Sequence, residues 1–447
     1  MSIKKSIYEE LLLQSNDQSR TIDIIGGAVA FEYYEDIFSP TITAKIKIVN
    51  NGNVIAPADQ SDGDRQSIYN GLPLRGGERV SLKIAGNSTT NPGLNFSNNP
   101  KDYFYVSSIT DVISETNRET FTLHLVSREA ITNETVRIGR KYPTSMTISD
   151  SVEKILSNYL KTDKIGTIDK TSNKYGFIGN MKKPFTVLIW LASKGVPVSS
   201  GNATAGFLFY QTQDGFQFRS IDEMILQKPK ATYIYSEASE SYSEDDKKVN
   251  NDLRILNYYT NKNQNLIEKL KLGTYASHRM FFNPLDFSFS NYEEGVFKLK
   301  DYSGKAKNLG SDIKLPKLSE GSDLSLGDVP TRTITAIYDV GTMERDASRE
   351  INSDQLKYQS QSLMRYNTLF TQTLNLMVPS NTNLRAGDVI ECKFPKITQS
   401  NAKEFDPETS GLYMIKELCH HFDTENSYTS MKLIRDTFGV NVEERKS

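Results

Sequence analysis

Four histidines and two cysteines are the side chains of this 447-residue chain best suited to holding a metal or acting as a nucleophile: His124, His278, His420, His421, Cys392 and Cys419. A zinc site needs three or four such ligands converging on one point. His420 and His421 are neighbours in a predicted strand, where successive side chains leave on opposite faces, so the two cannot easily share one ion. Cys392 and Cys419 fall near them in sequence, which leaves a Cys/His metal site to be weighed against a buried thiol and two hydrogen-bonded imidazoles. No C-x-x-C, H-E-x-x-H or His-rich tract occurs. Nucleophile signatures are missing as well: no G-x-S-x-G, no S-x-x-K ahead of an apolar helix, and no glycine-rich phosphate loop. Glu293-Glu294 and Asp245-Asp246 have the residue type of a glycosidase pair. In a chain with 55 acidic residues they read as solvated loop charge. Gly26-Gly27 and Gly76-Gly77 read as strand and turn breaks. The expectation is a non-enzyme with no catalytic, cofactor-binding or metal residue and no cofactor.

The elements that carry these residues are mostly strands. Lysine plus arginine is 53 against 55 acids, a net charge of −2, which argues against a bulk polyanion binder. Hydrophobic residues are 37 %, too many for a disordered chain, and the 23 Tyr and 21 Phe with abundant Ser, Thr, Asn and Gln suit strands and turns. The length predicts about three domains. Two cysteines make no disulfide framework, so the compartment can be reducing. The start, MSIKKSIYEELLLQS, has no secretory core, and the longest apolar run, Phe185 to Ala192, is far short of the ~20 residues needed to cross a bilayer.

In TITAKIKIVN, Ile42, Ala44, Ile46 and Ile48 alternate with Thr43, Lys45 and Lys47, which predicts a half-buried strand over Thr41 to Asn50. Tyr103 to Ile109 and Thr120 to Val126 alternate likewise, joined by turn residues Ser114 to Glu119. After Tyr142-Pro143 the period changes. Val152, Ile155, Leu156, Tyr159 and Leu160 fall on one helical face, with Ser149 or Asp150 as the expected cap. A second helix begins at Pro184 and stops at Gly195; being apolar all round, it is expected to be buried, Trp190 included. GFLFYQTQDGFQFRS predicts a hairpin turning at Asp214-Gly215. Ser236 to Asn251 and Asp301 to Pro330 read as exposed loops or insertions, a helical phase returns from Asp354 to Met364, and alternation resumes through Leu374, Leu376 and Val378.

The chain also repeats itself. LRGGERVSLKI, Leu74 to Ile84, lies on LRAGDVIECKF, Leu384 to Phe394, with Leu, Arg, the second Gly and Lys coinciding. Each copy is followed by an insertion, an aromatic strand (DYFYVSSI, Asp102 to Ile109; GLYMIKEL, Gly411 to Leu418), a turn with Asn117 or Asn426, and a last strand (TFTLHLVSRE; YTSMKLIRD). Gly77 and Gly387 are expected to turn the chain into strands whose Val80-Leu82-Ile84 and Ile390-Cys392-Phe394 faces are buried. The predicted fold class is α+β, mainly β: two similar small β-barrels with an α/β domain between them and an insertion in the second half. The expected organisation is a 1–20 N-terminal arm, a first barrel at 21–130, an α/β domain at 131–228, a second barrel at 229–260 and 331–440, an insertion at 261–330 and a 441–447 tail.

Barrel, α/β unit and interrupted second barrel, in that order, resemble the baseplate hub proteins of contractile-tailed bacteriophages, with the late-control hub proteins and the N-terminal half of type VI secretion spikes as relatives. The resemblance rests on the two LR-G motifs, the two aromatic strands, the GFLFYQTQDGFQFRSID hairpin and SLMRYNTLF, Ser362 to Phe370, and spans about residues 21 to 438. It fits 261–330 only loosely and leaves the first ~20 residues unmatched. It implies a structural protein of the virion tail baseplate, assembled in the host cytoplasm. The implied homotrimer forms a pseudo-hexameric ring that joins a hexameric tail tube, or tube-initiating protein, to a trimeric central spike. Other baseplate wedge proteins are implied partners, and DNA passes through the lumen without being read. Two other functions remain to be set against it: a tail-tip cell-wall hydrolase, which a peptidoglycan turbidity assay detects, and a receptor-binding tail protein, which glycan or host-cell binding detects.

Overall fold

The computed structural model describes residues 3–50, 66–116, 118–198, 204–235, 251–261, 265–284, 287–302, 307–339, 355–396 and 405–439. Asp245-Asp246, Asn117 and most of the loop from Ser236 to Asn251 lie outside these residues.

Eight strands form the first copy: β1 (Tyr8–Gln14), β2 (Thr21–Asp23), β3 (Ala28–Asp36), β4 (Thr43–Asn50), β5 (Arg79–Ala85), β6 (Gly93–Asn95), β7 (Phe104–Glu115) and β8 (Arg118–Val126), with a single-turn helix α1 (Ile68–Gly71). Period-two patterning decides the inward faces: Ala44, Ile46 and Ile48 of β4 are buried beside Phe31, Leu82, Phe121 and Leu123, while Lys45 and Lys47 face out. The hairpin between β7 and β8 is tighter than expected, because cross-strand pairing continues to Glu115 and Arg118. Residues 8–14, set apart as an arm in the sequence reading, run as strand β1 antiparallel to β5, burying Leu11 and Leu13. The run YEELLLQ is short and carries two acids, which hides its alternation.

The middle unit contains α2 (Arg128–Thr135), β9 (Lys141–Tyr142), α3 (Ile148–Ile155), β10 (Ile165–Ile168), β11 (Phe177–Ile178), α4 (Pro184–Ala192), β12 (Phe207–Thr212), β13 (Gly215–Ser220) and α5 (Ile221–Ile225). Thr147, rather than Ser149 or Asp150, caps α3 by accepting from the Asp150 N–H, and the helix continues through one π turn to Leu160. α4 is not buried all round. Val187, Leu188 and Leu191 enter the core, whereas Trp190 is 38 % exposed and its indole stands edge-on to Tyr175 and Phe177. The β12–β13 turn residues are Gln213-Asp214, with Gly215 already paired to Thr212 at φ +113°.

Then come β14 (Thr232–Ile234), β15 (Asn257–Asn261), α6 (Leu266–Lys271), β16 (Ala276–Asn283), β17 (Ser288–Phe289), β18 (Val296–Lys298), β19 (Arg332–Ile337), α7 (Gln355–Thr368), β20 (Gln372–Pro379), β21 (Val389–Lys393), β22 (Gly411–Asp423) and β23 (Ser427–Arg435). β16 to β19 make a four-stranded sheet of their own. The boundary expected at 331 therefore moves: β19 runs parallel to β16 instead of joining the second barrel, its side chains largely exposed.

The first copy pairs in the order β3-β4-β8-β7-β5-β1, and the second in the order β15-β20-β23-β22-β21-β14. Chain order matches too, since β3, β4, β5, β7 and β8 answer β15, β20, β21, β22 and β23. The insertion with its four-stranded sheet sits between β15 and β20 of copy two. Each copy encloses its own apolar cluster, around Phe121 and Leu123 in one and around Tyr413 and Leu433 in the other. The copies differ at one edge: β1 is antiparallel to β5, but β14 is parallel to β21. Both copies belong to one 14-stranded sheet. No helix among the described residues is long and apolar enough to cross a membrane.

Candidate assembly interface

The duplicated motif forms the same device twice. In LRGGE, the Glu78 carboxylate accepts from the backbone N–H of Arg75 at 2.7 Å. In LRAGD, the Asp388 carboxylate accepts from the Arg385 N–H at 2.9 Å. Gly77 and Gly387 then sit at φ +90° and +91°, where a side chain is disfavoured. The Gly77 N–H donates to the Val106 carbonyl and the Val106 N–H returns to Glu78, at 2.8 and 2.9 Å; Gly387, Ile415 and Asp388 repeat this at 2.8 and 2.8 Å. Both long strands slip register one residue later, between Val106 and Ser108 and between Ile415 and Glu417. A bulge of this kind bends the strand and redirects its far half.

Beyond its bulge, β22 leaves β21 and pairs instead with β3 of the first copy, from Glu417 opposite Asp36 to Asp423 opposite Ala30. This seam fuses the two barrels. At its bulge the Ile37 N–H donates to the Lys416 carbonyl at 2.9 Å, and the Lys416 ammonium meets Asp36 at 2.6 Å. On the solvent face, His421 lies between Glu32 and Asp423 at 3.2 and 3.3 Å and stacks on Tyr428. On the core face, His420 stacks parallel to Tyr33 and bonds Thr429 at 3.0 Å. Burial pushes His420 down to about 3, so it is neutral in the fold. The N-terminal residues staple the same seam: Ser6 meets Ser427 at 3.0 Å and the Tyr8 hydroxyl donates to the Phe422 carbonyl at 3.0 Å.

One carboxylate ties all three units together. Glu35 of β3 is buried and accepts from the Tyr33 hydroxyl at 2.8 Å, from the Gln213 N–H of the β12–β13 turn at 2.7 Å and from the Ala386 N–H of the LRAGD turn at 2.8 Å. Arg385 of that turn forks onto Asp214 at 3.0 and 3.2 Å. Burial raises the Glu35 carboxyl to about 7 against the opposing pull of Arg385 and its donors. Around it an apolar cluster of Ile37, Tyr210, Met224, Val389, Met414 and Ile434 joins the units. Sequence reasoning missed Glu35, although a signal exists: it follows Phe31 and Tyr33 in the buried phase of β3, where an unpaired acid is not tolerated.

The residues singled out for chemistry are dispersed. His124 is on β8 with its Nε2 2.9 Å from the Thr110 hydroxyl, and His278 is buried on β16 against Tyr292. Glu293-Glu294 start a short 3₁₀ turn in the insertion. Cys392 is buried in the second core, where burial pushes its thiol up. Cys419 lies on the seam, pushed up to about 12. Among the described residues no group of three or more His, Cys, Asp or Glu side chains could hold a metal ion.

No family model matches the chain. It is similar, at 21 % identity over 306 residues, to the "probable baseplate hub protein gp334" of Vibrio phage KVP40, covering 66 % of this chain and 67 % of that protein. Among solved structures, a tail protein from Neisseria meningitidis MC58 aligns over 95 % of this chain and 96 % of its own, with TM-score 0.49 and 10 % identity. The 43 kDa tail protein of prophage MuSo2 from Shewanella oneidensis aligns over 96 % and 98 %, with TM-score 0.48 and 8 % identity.

Proposed function

We propose that this protein is a structural baseplate hub of a contractile phage tail, working as a trimer whose six barrels form a pseudo-hexameric ring. The observation that carries the reading is the head-to-tail seam between β22 and β3, which joins two barrels of the same strand order. A contact that uses different surfaces on its two partners closes into a ring when its rotation divides a full turn. Two barrels per chain let three chains imitate six units. One side then suits a hexameric tube or tube-initiating protein and the other a trimeric central spike, with wedge proteins outside. The similarity to a probable baseplate hub protein supports the same role. The solvent face of the shared sheet, with Lys45, Lys47, Glu32 and His421, mixes both signs of charge, which suits a ring that passes DNA without sequence reading. Multi-angle light scattering on the purified chain tests this: a mass of three chains is expected. A strict monomer that also fails to join tube or spike partners overturns it.

A further inference from the structure

The internal repeat specifies which strands meet between chains, and in what register. In the second copy, the far half of β22 is covered by β3. Its counterpart in the first copy is the far half of β7, which pairs with β8 on one side and, past Phe104 and Tyr105, with no strand on the other among the described residues. That stretch carries Val112 and Ile113, 44 % and 58 % exposed, just past a second slip between Thr110 and Ile113, with Asp111 at φ +55°, that β22 lacks. An exposed apolar strand edge of this length is a template for pairing and is normally covered or charged. The counterpart of β3 is β15, which ends the order of the large sheet and carries Tyr259, 67 % exposed.

Correspondence through the shared neighbours gives the register of the stretch beyond that second slip. His421 pairs with Tyr428, and Ile113 with Thr120, the residue that answers Tyr428 in the repeat. Glu32 pairs with Lys45, which pairs with His124; Tyr259 pairs with Asn375, which pairs with Lys432, the residue that answers His124. The in-chain pair His421–Glu32 therefore corresponds to Ile113–Tyr259. We infer that β7 of one chain adds antiparallel to β15 of a second copy, with Ile113 opposite Tyr259. This rests on the ring reading and adds to it a chemical difference between the two kinds of seam. The in-chain seam is charged, through Glu32, His421, Asp423 and the Asp36–Lys416 pair. At the matching places the between-chain seam has Tyr259, Ile113, Ser107 for Lys416 and Glu115 for Asp423, so it keeps one acid at its end and closes mainly by apolar burial and main-chain hydrogen bonds.

Cysteine pairing tests the register, since directly opposed strand residues lie within disulfide reach. Full-length I113C and Y259C chains are purified, mixed, oxidised with copper phenanthroline and run on a non-reducing gel, with the unsubstituted chain controlling for Cys392 and Cys419. The expected result is a cross-linked dimer in the mixture, none from either variant alone, and a covalent trimer from the double variant I113C/Y259C. Y259E is expected to keep the parent's circular dichroism and lose the trimer at a concentration where the parent is fully trimeric. A trimer by mass that gives no I113C–Y259C cross-link, or that survives Y259E unchanged, overturns this register and leaves the ring standing. A folded monomer that cross-links nowhere overturns both.

Discussion

The two barrels share strand order, a glycine turn and even the position of a bulge, yet their long strands meet different fates. β22 hands its far half to β3 and becomes the middle of a sheet, while the far half of β7 presents Val112 and Ile113 to solvent. The turns diverge in the same sense. Arg385 and Ala386 of LRAGD are tied to Asp214 and Glu35, whereas in LRGGE the Gly76 carbonyl accepts only from the Asn16 amide, at 2.9 Å, near the surface. Duplication thus preserves what folds each barrel. What has changed is what each barrel is fastened to.

Substitutions at matched positions sharpen this contrast. Leu82 and Cys392 answer one another in the two cores. Leu82→Ala is expected to cost about 2–5 kcal/mol by the usual cavity penalty, and Cys392→Ala distinctly less, in urea unfolding followed by fluorescence. Next comes Glu35→Ala, which orphans two buried backbone donors at about 1–3 kcal/mol each. Among the described residues no acid of the second copy holds three units together in this way. Gly387→Ala should cost more than Gly77→Ala, although both occupy a positive φ worth about 1–3 kcal/mol of strain. A Cβ on Gly387 clashes with the Tyr210 hydroxyl and crowds the Met224 methyl, but on Gly77 it meets only the movable Asn16 side chain at 3.2 Å. Lys416→Ala is the smallest effect, about 0–1 kcal/mol for a largely screened pair.

Acidity separates two groups of the same junction. The folded Glu35 carboxyl is raised from 4.5 to about 7, so the stability it contributes is complete below pH 4.5 and is lost as pH rises through 7. His420 is lowered from 6.5 to about 3, so its contribution is complete above pH 6.5 and is lost as pH falls toward 3. Urea midpoints measured from pH 5 to 8 should therefore fall less between pH 5 and 7 in Glu35→Gln than in the parent. A slope unchanged by that substitution would assign it to other groups.

Much of this was legible in the sequence. Alternation in TITAKIKIVN places Ala44, Ile46 and Ile48 correctly, and the LRGGE and LRAGD echo aligns Val106 with Ile415, which the hydrogen bonds reproduce. Local patterns carry such information because they record which face is buried. They do not record what lies beyond a strand edge, and for that reason the β22–β3 seam and the pairing of β1 were hidden. The exposure of Trp190 was hidden for a related reason: an all-apolar helix signals burial without saying which side a neighbour leaves open. Glu35 was visible only as an acid out of place, because its partners come from residues 213 and 386.

In the proposed ring, each chain supplies two of six like units. Electron micrographs of the negatively stained, purified chain, averaged by class, test it directly. End-on views of a ring with six lobes around an open centre are expected. A compact particle without a hole, or a ring built of another number of lobes, would contradict it.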